Sequence, residues 1–116
     1  MEKPDYETAC LDAIHHWLRI TDLAEFAELR HGHRDSNGGF GIAFPGDLDE
    51  YDRFVEGHFI PPNYVVIYGF WGPPEGYELF VPEEVYLTIL ARVLGEEGFV
   101  VEADRVRALL LPNTRA

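Results

Sequence analysis

The chain has one cysteine, so no disulfide can form within it, and one serine, Ser36, which lies in a polar turn with no G-x-S-x-G around it. It has no long apolar run. The longest is the eight residues from Tyr64 to Trp71, far short of the roughly 20 that span a bilayer as a helix. The start, Met-Glu-Lys-Pro-Asp, lacks the basic and apolar regions of a signal peptide. Cations are scarce: 9 Lys and Arg stand against 21 Asp and Glu, a net charge of −12. That balance argues against direct binding to nucleic acid or anionic lipid, both of which select Lys and Arg. With a lone cysteine and no leader, a reducing compartment is expected, most simply the cytoplasm.

What is present is enough for a folded core. Across 116 residues the apolar fraction is 47% and the aromatic fraction 14%, which excludes a disordered chain. The length suits one domain, 1–116, without repeat, linker or low-complexity tract.

The strongest β signal is Asn63 to Trp71. Tyr64, Val66, Tyr68 and Phe70 point one way and Val65, Ile67 and Trp71 the other. A strand apolar on both faces belongs in the middle of a sheet, covered on each side. Gly72-Pro-Pro-Glu-Gly76 turns the chain, because proline cannot continue a ladder and glycine supplies the dihedrals of a turn. The return strand alternates Tyr77, Leu79 and Val81 against Glu78 and Phe80.

Around this hairpin, 63–82, the spacing predicts helices. Over Asp5 to Arg19, Tyr6, Ala9, Cys10, Ala13, Ile14, Trp17 and Leu18 form one apolar stripe. Asp22 with Glu25 reads as a capping box opening a short second helix that ends near His31-Gly32. A polar turn, His33 to Gly39, leads to a strand from Phe40 to Phe44. Asp47 with Glu50 repeats the capping pattern and predicts a third short helix running to Gly57. Pro82 suits a first helical position, with Glu83 and Glu84 at the positive end of the dipole, and Gly95 or Gly98 closes that helix. A last helix, about Val101 to Leu111, buries Ala103, Val106, Leu109 and Leu110. The order α-α-β-α-β-β-α-α predicts an α+β fold: one compact domain with a small, mostly antiparallel three-stranded sheet, packed by N-terminal and C-terminal helix pairs.

Chemistry is hard to find. His31 and His33 form an H-x-H pair, and Asp12 and His16 share a helix face, but no H-E-x-x-H or cysteine pair accompanies them. Neither a metal nor another cofactor is expected. Asp35 to Gly39 begins like a calcium loop and fails at Phe40 and Gly46. Cys10 falls on an apolar stripe, where a free thiol is a small hydrophobe. No catalytic signature remains.

The segment Asp47 to Glu56 stands out. Asp47, Asp49, Glu50, Asp52 and Glu56 against Arg53 alone leave a local charge of −4, with Tyr51 among them. Asp47 and Glu50 have a capping role available; Asp49, Asp52 and Glu56 do not. Acids around an aromatic suit docking of a basic protein, so Asp47, Asp49, Glu50, Tyr51, Asp52 and Glu56 are the candidate partner-binding residues; a solvated face is the other reading. In size, acidity and lack of catalytic motifs, the whole chain resembles the small immunity proteins with which bacteria block toxin domains, many of them nucleases. The resemblance is one of class and implies occlusion of a basic partner, with acids mimicking phosphates. A different class remains open: a small-ligand protein or enzyme with a pocket near the bare Gly39, Gly41 and Ala43 face, using His31, His33 and Tyr68. A homo-oligomeric subunit pairing through aromatic surface near Trp71 is a third.

Overall fold

The computed structural model describes residues 5–17, 19–34, 40–47, 60–69 and 77–110. Helix α1 is Tyr6–His15, α2 is Asp22–Leu29, α3 is Glu83–Glu96 and α4 is Val100–Ala108. The strands are β1 (His33–Arg34), β2 (Gly41–Ala43), β3 (Tyr64–Gly69) and β4 (Tyr77–Pro82). The fold is α+β, with an antiparallel sheet in the order β1-β2-β3-β4. The three expected strands are β2, β3 and β4. His33–Arg34, expected in a polar turn, instead pairs with Ile42 and Gly41 as a two-residue edge.

Strand β3 is central, as its two apolar faces require. Ile42, Ile67 and Leu79 stand side by side across the sheet, with Val65 beside Val81. These residues form the sheet's share of the core, against Ala9, Cys10, Ala13 and Ile14 of α1 and Tyr86, Leu87 and Leu90 of α3. The opposite row is Ala43, Val66 and Phe80. Val66 is buried there at 2% exposure while Phe80 keeps 41%. The helix pairs cross: α1 packs on α3, and α2 on α4.

Several boundaries move, each for a local reason. Asp5 caps α1, accepting from the Thr8 amide at 2.8 Å. The helix stops at His15, not Arg19, because the Trp17 amide tightens onto the Ile14 carbonyl and a new turn begins at Arg19. The expected capping box at Asp22 does not form. Thr21 is the N-cap, without a side-chain cap bond, and the Asp22 carboxylate accepts from the Arg19 guanidinium. Pro82 ends β4 and caps α3, one position before the first helical residue, Glu83. Gly98, at φ +90°, does close α3. Its amide donates to the Gly95 carbonyl and that of Phe99 to Leu94, the paired bonds of a Schellman ending. At the start of the expected third helix lies a 3-10 turn, Pro45–Asp47; the rest of that helix and the hairpin turn at 72–76 lie outside the described residues.

Candidate functional site

Of the acidic segment, Asp47 is described; Asp49, Glu50, Tyr51, Asp52 and Glu56 lie outside the described residues. The Asp47 carboxylate is committed to backbone. One oxygen accepts from the Gly32 amide at 3.1 Å and the other from the Phe44 amide at 2.6 Å. The Asp47 amide returns a bond to the Phe44 carbonyl at 3.0 Å. His31 Nδ1 sits 3.6 Å from the same carboxylate. Asp47 therefore ties the end of β2 to the loop after α2, and its side chain keeps only 22% exposure. Gly32 has to be glycine: a Cβ there would collide with the Asp47 carboxylate and the Ile42 carbonyl oxygen.

The histidines divide. His16 Nδ1 donates to the Asp12 carbonyl at 2.7 Å, and its ring stacks on Phe40 at 3.9 Å. His31 and His33 both lie against Phe26, with ring centroids at 6.0 and 5.4 Å, so the H-x-H pair does share one aromatic neighbour. His33 also meets Trp17, at 4.7 Å. Both its ring nitrogens are buried and have no hydrogen-bond partner among the described residues. Burial lowers its pKa to about 4, with His31 pushing the same way and Asp47 opposing. A neutral imidazole wedged between aromatic rings acts as a packing group. The pairs Asp12/His16 and His31/His33 do not converge, and among the described residues no three His, Cys, Asp or Glu are placed to hold a metal.

The residues of the small-ligand reading fall on two sides of the sheet. His33 pairs with Ile42, a core residue, so both face the helices. Gly41 pairs with Tyr68, and Ala43 follows two residues after Gly41, so these three face the other way. Gly39 lies outside the described residues. Cys10 is fully buried, and desolvation pushes its thiol up to about 12. At that value it carries no thiolate at neutral pH.

The surface charge has an organisation that sequence spacing did not reveal. Arg19 pairs with Asp22, Arg30 with Glu83, Arg92 with Glu7, Arg105 with Glu28 and Arg107 with Asp104. Three of these join residues distant in sequence, and only Arg19–Asp22 and Arg107–Asp104 had a local signal, the i, i+3 spacing. These five arginines thus spend their charge within the molecule. Glu25, Glu78, Glu84, Glu96, Glu97 and Glu102 have no such partner among the described residues. None of the described helices is long and apolar enough to cross a membrane. Comparison of the chain with protein-family models, with curated proteins and with solved structures finds no match.

Proposed function

We propose that this protein is a small acidic binding module that occludes a basic protein partner, working in the cytoplasm as bacterial immunity proteins do against toxin domains. One observation carries the reading: Arg19, Arg30, Arg92, Arg105 and Arg107 are each paired with a carboxylate of the same chain, so few cations are left to offset an excess of 21 acids over 9 bases. Internal pairing of cations leaves a field of one sign, which attracts a basic surface and speeds its encounter.

The segment from Asp47 to Glu56 is the proposed docking face. Asp47 holds its start to the loop after α2 and to β2. Asp49, Glu50, Asp52 and Glu56 supply the charge and Tyr51 the aromatic anchor. The acids stand in for phosphates that the partner would otherwise bind.

Affinity capture from source cells at low and high salt, followed by association kinetics with the captured basic protein, tests this. Asp49→Lys and Asp52→Lys should slow association and change its salt dependence. Tyr51→Ala should weaken the complex at high salt as well, because an aromatic anchor acts by packing. Wild-type rates for all three variants would remove this segment as the docking face. Failure to capture any salt-sensitive basic protein would overturn the reading itself.

A further inference from the structure

At the corner between α3 and α4 the chain exposes three consecutive apolar residues: Phe99 at 39%, Val100 at 59% and Val101 at 69%. The Schellman ending at Gly98 fixes this corner, and Ala103 and Val106 take the buried positions of α4. A fourth exposed side chain, Leu29 at 68%, ends α2. Leu29 follows Glu28, whose carboxylate accepts two bonds from the Arg105 guanidinium. Val101 lies one helical turn before Arg105. Each side of this ion pair therefore carries an apolar residue that the fold leaves uncovered.

Carboxylates outnumber cations about these residues. Glu96 and Glu97 end α3, Glu102 follows Val101, and Glu25 lies one turn before Leu29. Glu25 and Glu102 are both close enough to act on Arg105 electrostatically. The two cations of α4, Arg105 and Arg107, are held by Glu28 and Asp104. Scattered exposed apolar residues need no explanation, whereas a run of them bordered by an excess of carboxylates has the anatomy of a binding surface.

We infer that Phe99–Val101 and Leu29 receive the apolar side chains of a cationic amphipathic segment on a protein partner, whose Lys and Arg residues meet Glu25, Glu96, Glu97 and Glu102. A second copy of this chain would set those carboxylates against their own kind, and an anionic lipid surface would be repelled likewise. The inference rests on the basic-partner reading and adds a contact separate in sequence from 47–56.

Two synthetic peptides test it: an amphipathic helix with Leu on one face and Lys and Arg on the other, and the same peptide with Ser for Leu. Titration into isotope-labelled protein, followed by amide chemical shifts, should give saturable changes at Leu29 and Phe99–Glu102 for the leucine peptide. Its affinity should be on the order of tenfold above that of the serine peptide. Leu29→Ser and Val101→Ser should each remove most of that difference without changing the melting temperature, since both positions are exposed. Equal binding of the two peptides, unaffected by either substitution, would overturn the apolar site while leaving attraction of a basic partner intact. No binding of either peptide at low salt would overturn the site and count against the basic-partner reading too. Concentration-dependent self-association abolished by Val101→Ser would replace the partner with a second copy.

Discussion

The guanidinium of Arg30 closes on the carboxylate of Glu83 with two bonds, at 2.7 and 3.2 Å, and donates a third to the Pro62 carbonyl at 2.8 Å. Arg30 does this from a left-handed backbone, φ 51° and ψ 47°, at the end of α2. Its own amide donates to Ala27 and that of His31 to Phe26, so a Schellman ending is made there without glycine. The left-handed conformation costs an L-residue about 1–2 kcal/mol, and the ion pair joining α2 to the first turn of α3 works against that cost.

That balance predicts an inverted order for two substitutions. Arg30→Ala loses the ion pair and keeps the backbone strain, whereas Arg30→Gly loses the pair and relieves the strain. Gly should therefore be the more stable variant by about 1 kcal/mol. Equilibrium urea unfolding of the two variants checks this, and a more stable Ala variant would contradict the left-handed assignment.

The central strand should tolerate charge on neither side. Val66 and Ile67 point to opposite faces and are exposed by 2% and 0%. Val66→Asp and Ile67→Asp each bury an unpaired carboxylate, at a cost of several kcal/mol against a stability of roughly 5–15. Phe80→Thr, on the same face as Val66 but 41% exposed, should cost much less. Circular dichroism melts rank the three; cooperative unfolding of both aspartate variants near the wild-type temperature would refute the two-sided burial.

Acid should loosen the contacts of β1 with Trp17 and α2. His33 has a pKa of about 4 in the fold against an ordinary value of 6.5, because burial disfavours the imidazolium. The unfolded chain thus binds the proton first. This contribution to stability is full above pH about 6.5, falls as the pH drops toward 4, and is then exhausted, a total of about 3 kcal/mol. Glu28, whose carboxyl is lowered by its bonds from Arg105, adds its own loss at more acid pH. Replacing His33 by Phe should flatten the stability profile between pH 6.5 and 4. The fluorescence of Trp17, 4.7 Å from the His33 ring, is the readout; a wild-type slope in the Phe variant would assign the acid sensitivity elsewhere.

The Cys10 thiol should be silent in the native state. It is fully buried in the core, and desolvation raises it to about 12. Alkylation by iodoacetamide at pH 8 should proceed at the rate of unfolding events and accelerate sharply in denaturant. Rapid labelling of native protein would place the thiol at the surface and reopen a nucleophilic role.

Local pattern makes the order of the elements, the two-sided strand Tyr64–Gly69, the stripe of α1 and a glycine ending of α3 legible, because each is set among residues a few positions apart. Only the backbone chooses Gly98 over Gly95. The same local view misjudged Asp22, which suits a cap by spacing but faces Arg19 in the fold. It also read His33 as part of a polar turn. Spacing places His33 two residues from His31, but only sheet register sets it opposite Ile42, on the side where Trp17 and Phe26 close over it.

Charge shows the same division. Composition determines that the protein is acidic, since a sum over 116 residues needs no coordinates. Which acids remain available is a tertiary matter. Glu83 and Glu84 are adjacent and indistinguishable by pattern, yet Glu83 is taken by Arg30, 53 residues away, while Glu84 is exposed. Glu28 and Arg105 meet across 77 residues, and Asp47 is spent on the Gly32 and Phe44 amides. Local sequence determined which segments are helix or strand, because hydrogen bonding and apolar spacing act over one or two turns. The pairing of distant charges, and the uncovered apolar corner at Phe99–Val101, were decided by how those segments pack, since chain folding alone brings such residues within reach of one another.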